Sequence, residues 1–269
     1  MTAARLFFRT VWIGICALSM LAQTRLLLGI PLGPGWLDGF VLGSAVFAYG
    51  FTHPDRRIKT GAWLAGLLGA GCFAGALLPW QEEPAIRSWH WASGIPVGLW
   101  LLYYGLRRPG NAGLRGVPMA KPIAVALAWG WVTVMLPAPV EAWGRAGGML
   151  LGRSVFIFAL ALAYDLADLD YDRRHGLATL AGERGVHRTF RLIFSALVLA
   201  ILCCGANVLL HVYDFSQALA LCASLVISAV WLRFLINNKA LKDWQKVLVD
   251  ALMPAQFMII WLATCLKDG

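Results

Sequence analysis

The chain has 269 residues, of which 59% are hydrophobic and only 14% are charged. A soluble domain carries about a quarter charged residues, so this composition excludes a water-soluble globular protein and predicts a chain solvated largely by the bilayer. The formal net charge of +9 would suit nucleic-acid binding in a soluble protein. In a membrane protein, basic cytoplasmic loops already account for it, and we predict no nucleic-acid partner.

Apolar runs of about twenty residues predict an all-α integral membrane protein. The chain holds nine such predicted helices, near residues 6–30, 37–52, 58–79, 88–106, 121–137, 147–165, 188–210, 214–236 and 246–266. The basic start of the first run is typical of a signal peptide, but the run continues to Ile30 and further spans follow, so we interpret it as a membrane helix. No connection is long or polar enough to divide the chain, which predicts one transmembrane domain over residues 1–269.

Basic residues collect in alternate connections between these helices. One set holds Arg5, Arg9, Arg56, Arg57, Lys59, Arg107, Arg108, Arg115, Lys121, Arg173, Arg174, Arg184, Arg188, Lys239, Lys242 and Lys246. The other set holds only Arg87, Arg145, Arg153 and Lys267, with Arg25 late in the first helix. Positively charged loops face the cytoplasm, so this asymmetry predicts a cytoplasmic N-terminus and an external C-terminus, in a bacterial inner membrane.

Four of the 14 acidic residues fall within one short segment, directly after the apolar run that ends at Ala163. They are Asp165, Asp168, Asp170 and Asp172. The spacing i, i+3 and i+7 places Asp165, Asp168 and Asp172 on one stripe of a helix, whereas Asp170 points to another face. These three carboxylates therefore form one candidate site at the membrane edge.

Three carboxylates on one stripe favour a cation between them, because like charges otherwise repel each other. Mg²⁺ takes one or two carboxylates and completes its shell with waters and substrate phosphates, so the stripe predicts a metal-bridged diphosphate site. A solvated acidic loop beside Arg173 and Arg174 is the alternative. An EF-hand is excluded, because Arg173 stands where that loop needs glycine and no Glu follows at the twelfth position.

The acidic segment also carries a family resemblance. The pattern Asp165-x-x-Asp168-x-x-x-Asp172-Arg173-x-x-Gly176-x-x-Thr179-Leu180 resembles the second aspartate-rich motif of the UbiA-type prenyltransferases. Two further stretches are similar to members of that family: Lys121-Pro122 with Trp129-Gly130-Trp131, and Val249-Asp250-Ala251. Those proteins are nine-helix membrane enzymes whose second motif follows the sixth helix on the cytoplasmic side, which is also where the predicted sixth helix of this chain ends.

The resemblance implies a UbiA-like helical bundle that acts as a prenyltransferase. It would move an isoprenyl group from a polyprenyl diphosphate to a lipophilic or aromatic acceptor within the membrane lipids. Asp165, Asp168 and Asp172 would be the catalytic ligands of Mg²⁺, and Lys121 and Arg173 would contact the phosphates. Asp250, about one turn inside the ninth helix, would either face the central cavity or pair with Lys246 at i−4.

The first aspartate motif of the family is missing from this chain. Its form is Asn-Asp-x-x-Asp-x-x-x-Asp after the second helix, but residues 49–58 here read YGFTHPDRRI, with Asp55 as the only acid. We treat Asp55 and Arg56 as candidate substrate-binding residues. Arg56, Arg57 or Lys59 would substitute for a lost metal ion, because a guanidinium group binds phosphate through two hydrogen bonds. Ordinary positive-inside loop charges are the alternative.

A second functional class therefore stays open. A UbiA-like protein that has lost group transfer would bind a lipid or isoprenoid, or would serve as a structural subunit, and the absent first motif favours this class. A transporter is less well supported, because the sequence lacks paired interrupted helices and has few charges in the middle of its spans.

Overall fold

The computed structural model describes residues 3–51, 56–76, 95–96, 98–99, 119–174, 179–238 and 244–268. Within these ranges the chain is helical and contains no strand. The helices are α1 (Ala3–Leu28), α2 (Trp36–Phe51), α3 (Arg56–Ala76), α4 (Ala120–Gly130), α5 (Trp143–Ala167), α6 (Leu169–Arg174), α7 (Leu180–Arg184), α8 (Val186–Leu209), α9 (Phe215–Asn237), α10 (Gln245–Asp250) and α11 (Leu252–Asp268). A π-helical turn, Trp131–Met135, continues α4, and a short 3₁₀ turn, Val140–Ala142, precedes α5.

The described helices confirm the prediction of an all-α integral membrane protein. Within the described ranges, five segments are long and apolar enough to cross a bilayer: Val11–Leu28, Val140–Ala167, Val186–Leu209, Phe215–Asn237 and Gln245–Lys267. The predicted helix at 88–106 lies outside the described residues, apart from 95–96 and 98–99. The number of nine spans and the orientation of the termini therefore stay predictions.

Large apolar side chains cover the outward faces of the bundle. Leu202, Val230 and Leu266 are exposed in α8, α9 and α11, respectively, while Phe156 and Ile260 are completely buried between helices. In water, an exposed apolar surface of this extent would drive aggregation, whereas lipid tails accommodate it without cost. The packing thus agrees with the composition in placing the chain in a membrane.

Small residues allow some of the helices to approach each other closely. A side chain at Gly43 of α2 would collide with Ala65 O of α3, since a Cβ built there lies 2.4 Å from that oxygen. Gly130 plays the same role between α4 and α5, where a Cβ would lie 2.3 Å from Ser154 Oγ. Close backbone contact of this kind is a common source of helix association in lipid.

A polar link joins the ends of α1 and α2. The Arg25 guanidinium donates to both carboxylate oxygens of Asp38 at 3.0 Å and to the carbonyl oxygen of Gly33. Arg25 is therefore the partner of a specific carboxylate near the end of its span, and it fixes the turn between the two helices.

Candidate functional site

The last turn of α5 presents a buried carboxylate to a lysine at the start of α4. Asp165 is only 1% exposed, and its Oδ1 accepts a hydrogen bond from Lys121 Nζ at 2.7 Å. α4 and α5 pack against each other, so the pair joins two residues that are 44 positions apart in sequence. The structure thus brings together Asp165 and Lys121, both of which the sequence predicted as site residues.

Asp168 forms the junction between α5 and α6 and pairs with a second lysine, Lys246 of α10. The Tyr164 hydroxyl donates to Lys246 O at 3.2 Å, which holds the start of α10 against the end of α5. Helical hydrogen bonds continue across the junction, from Asp168 N to Tyr164 O and from Asp172 N to Asp168 O, both 2.9 Å. The i, i+3, i+7 stripe therefore survives although α5 ends at Ala167.

Asp172 completes the stripe and is buried, with 6% of its surface exposed. Burial raises the pKa of the Asp172 carboxyl above its ordinary value. The positive charges of Lys121 and Lys246 lower this pKa, and the negative charges of Asp168 and Asp165 raise it. Asp170 is exposed, as the spacing predicted for a residue on another face. The structure thus separates the three clustered aspartates from the fourth.

The donor set of the cluster fits a Mg²⁺ ion held by two carboxylates better than one held by three. Asp165 Oδ2 and Asp172 Oδ2 are buried oxygens without a hydrogen-bond partner, as expected of atoms that await a ligand. Asp168 is engaged by Lys246. No three His, Cys, Asp or Glu side chains in the described part of the chain are arranged to hold one ion. Mg²⁺ commonly takes only one or two carboxylates and adds phosphate oxygens, so a donor set of two carboxylates fits this ion.

The other predicted site residues contribute less to this arrangement. Arg173 is exposed at the end of α6. Asp55 lies outside the described residues, and Arg56 is described only as the first backbone position of α3. Thr179 has a structural role: its hydroxyl accepts from Gly182 N at 3.3 Å and caps α7.

Sequence reasoning missed two charged residues that the fold places inside the bundle. Lys246 pairs with Asp168, a partner 78 positions away, in addition to any contact with Asp250 on its own helix. Arg153 was assigned to the external charges, but it is buried in the middle of α5 with 6% of its surface exposed. The available signal was its position inside the predicted span 147–165, where an ionisable residue is a functional candidate.

Comparisons with known proteins support the fold. No family model and no curated protein matches the sequence. A structure of a digeranylgeranylglyceryl phosphate synthase in membranes is similar, with 12% identity, a TM-score of 0.57 and coverage of 98% of this chain and 97% of that one. The ligand-free structure of a UbiA homolog from Aeropyrum pernix K1 is similar with 15% identity and a TM-score of 0.60, over 100% of both chains. The chain therefore has the fold of the UbiA-type prenyltransferases.

Proposed function

We propose that the protein is a membrane prenyltransferase that moves an isoprenyl group from a polyprenyl diphosphate to a lipophilic or aromatic acceptor. The observation that carries this proposal is the cluster at the end of α5, where three aspartates and two lysines converge within a UbiA-type fold. Both solved structures that this fold resembles cover nearly the whole chain, and the name of one of them is that of an enzyme making a prenylated glyceryl phosphate.

Within this proposal, Asp165 and Asp172 would hold Mg²⁺ through their open oxygens, and Asp168 would join them once Lys246 turns toward a phosphate. The ion would neutralise negative charge on the diphosphate leaving group. Lys121 and Lys246 would do the same from the protein side, since an ammonium group is a compact charge with three donors. Two lysines at the cluster give the chain a source of positive charge that does not depend on the missing first motif.

The reaction would break the allylic C–O bond of the donor, and the electron pair would leave with the diphosphate. The acceptor nucleophile would then form the new bond to the allylic carbon and release a proton. Apolar helices around the donor chain would keep water from the carbocation. The basic loops would orient the cluster toward the cytoplasm of a bacterial inner membrane, in a nine-helix topology, and Arg56, Asp55 and Arg173 stay predicted contacts of the substrate.

A matched pair of variants tests the proposal. Purified protein is incubated with Mg²⁺ and a panel of prenyl diphosphates and candidate acceptors, and diphosphate release and thermal stabilisation by the donor are measured. Asp172→Asn, at a buried position of the stripe, should lower release by about 100-fold or more, as expected when charge stabilisation of a leaving group is lost. Asp170→Asn, on the exposed face of the same helix, should leave release unchanged.

The same experiment separates the second functional class. Mg²⁺-dependent stabilisation by a donor, without diphosphate release for any acceptor, would identify a binding protein that has lost transfer. No stabilisation by any donor, or equal effects of the two variants, would contradict the proposed site.

A further inference from the structure

A buried arginine occupies the middle of α5, far from the aspartate cluster. Arg153 lies twelve residues before Asp165, which corresponds to about 18 Å along the helix axis. It is 6% exposed and lies near the centre of the membrane-crossing segment Val140–Ala167. A charged side chain at this depth is costly and usually marks a functional position.

The hydrogen bonds of Arg153 use only one end of its guanidinium group. Nη1 donates to Met20 O of α1 at 3.1 Å and lies 3.5 Å from Thr133 Oγ1, in the π-helical turn after α4. Its contact with Met20 Sδ, at 2.9 Å, involves the same nitrogen. Arginine offers five N–H donors, so the Nε and Nη2 donors stay available for another acceptor.

No carboxylate of the described residues forms an ion pair with Arg153. The ion pairs of the described residues join Arg25 with Asp38, Lys121 with Asp165, Lys246 with Asp168 and Lys267 with Asp214, and none includes Arg153. Arginine does not lose its proton in proteins, so deprotonation does not remove the charge of Arg153. The described part of the bundle therefore holds a positive charge without a carboxylate partner.

A small cavity with a volume of about 20 Å³ lies against Arg153. Polar side chains converge on it from several helices: Gln23 of α1, Asn207 of α8 and Gln256 of α11, with Tyr213 beyond the end of α8. Gln23 Nε2 donates to Gln256 Oε1 at 3.3 Å and Gln256 Nε2 donates to Ser224 Oγ at 3.0 Å, which leaves Gln23 Oε1 without a partner. A cavity of this volume holds one water-sized particle.

The side-chain amides of Gln23 and Gln256 can both be rotated by half a turn, which exchanges the oxygen and the nitrogen in each. If Gln256 accepts from the Ser224 hydroxyl and donates to Gln23, then Gln23 presents an N–H instead of an unpartnered oxygen to the cavity. Oxygen and nitrogen of an amide are assigned from their hydrogen bonds, and the reversal keeps all heavy-atom positions. It requires the Ser224 hydroxyl, which donates to Leu221 O at 2.6 Å, to turn toward Gln256 instead. The cavity would then be lined by donors: the two open positions of Arg153 and the Gln23 amide.

We propose that this cavity is a binding site for one small monovalent anion of the size of chloride. A water molecule would accept the hydrogen bonds of Arg153 but would leave its charge uncompensated, whereas a halide ion accepts the hydrogen bonds and compensates the charge. Sulfate would bring a second negative charge, which the single arginine does not compensate. The bound anion would tie α1, α5 and α11 together at the level of the membrane centre, independently of the chemistry at Asp165.

Anion exchange tests the site in the whole protein. Detergent-purified protein is transferred to sodium gluconate and titrated with sodium chloride or bromide at constant ionic strength, while the melting temperature is followed. We expect a saturable increase of about 5 °C or more at a hundredfold excess over Kd. Arg153→Gln should abolish the increase. Arg145→Gln removes an exposed arginine from the same helix and should retain it.

A second measurement keeps the proposal testable if Arg153→Gln does not fold. Crystals of the unaltered protein grown in bromide should give one anomalous difference peak in the cavity, beside Arg153 Nε or Nη2. The absence of that peak at saturating bromide, equal melting temperatures in chloride and gluconate, or an unchanged halide response in Arg153→Gln would each overturn the anion site.

Discussion

The two charged regions of α5 differ in how their charges are compensated. At its end, Asp165, Asp168 and Asp172 face Lys121 and Lys246, so three negative charges meet two positive ones. In its middle, Arg153 contacts carbonyl, thioether and hydroxyl groups but no carboxylate of the described residues. Asp165, Asp172 and Arg153 are buried, and both regions leave polar atoms open.

The comparison indicates what each region still needs. The cluster has a formal surplus of one negative charge and two open carboxylate oxygens, which suits a cation that also carries phosphate. The centre of the helix has one surplus positive charge and open N–H donors, which suits an anion. Buried charges that are fully paired would be read as structural, whereas these two residual charges point to ligands.

The largest expected effect comes from breaking the pair at the end of α5. Lys121→Met would leave the Asp165 carboxylate, which is 1% exposed, without its nearest cation. Because Lys121 itself is 38% exposed, we expect a loss of about 2–3 kcal/mol, at or below the lower end of the range for buried pairs. Denaturation of the detergent-purified protein measures the loss.

A compensating change sharpens this prediction. Asp165→Asn in the Lys121→Met background removes the uncompensated charge and should recover most of the lost stability. If the double variant is no more stable than Lys121→Met alone, the stability of this region does not depend on the ion pair.

An intermediate effect is expected at Asp172, with the opposite sign. Its folded-state pKa lies above the unfolded value, so folding takes up protons and its ionised form opposes folding. Stability should therefore decrease as pH rises from the unfolded pKa of about 3.9 through the raised folded pKa. Asp172→Asn should remove this part of the pH dependence and raise the stability at neutral pH, while diphosphate release falls. A destabilised variant with the same pH profile as the parent protein would contradict the assignment.

The smallest effect on stability is expected at a solvent-exposed ion pair. Asp214 caps α9, accepting from Gln217 N at 2.8 Å, and pairs with Lys267 at 2.7 Å. Asp214→Ala should cost about 1 kcal/mol through loss of the cap. Asp214→Asn keeps a capping oxygen and should cost about 0.5 kcal/mol or less, because the pair is exposed.

The pH response of Asp214 also has the opposite sign to that of Asp172. Partial burial raises the pKa of Asp214, but the hydrogen bonds from Lys267, Gln217 and Ser216 outweigh burial and lower it to about 2. Its contribution to stability is present above pH of about 4 and is lost as the pH falls through about 2. Melting curves of Asp214→Asn and the parent protein should therefore converge in strong acid, and parallel curves would count against the pair.

Local sequence patterns were sufficient for part of this description. Hydropathy predicted the long spans because each is apolar along its whole length. The i, i+3, i+7 spacing predicted that Asp170 lies off the stripe formed by the other three aspartates. The pairing of Lys121 with Asp165 was approached only through a family resemblance, since the two residues are 44 positions apart. Lys246 was not predicted at the cluster, because its position depends on how α10 packs against the end of α5.

Arg153 illustrates the other limit of the sequence. Counting basic residues by loop assigned it to the external side, although its position lies within a predicted span. The burial of Arg153 depends on packing between α1, α4 and α5. The carbonyl group that accepts its hydrogen bond belongs to Met20, more than a hundred positions away, and the hydroxyl group belongs to Thr133, about twenty positions away. No periodicity within α5 contains that information.

The most direct test of the central claim is a structure of the protein with Mg²⁺ and a polyprenyl diphosphate. We expect the diphosphate at the end of α5, with Lys121 and Lys246 in contact with phosphate oxygens and a metal ion on Asp165 and Asp172. Donor bound elsewhere in the bundle, or a cluster that keeps its two lysine–aspartate pairs intact at saturating donor, would contradict it.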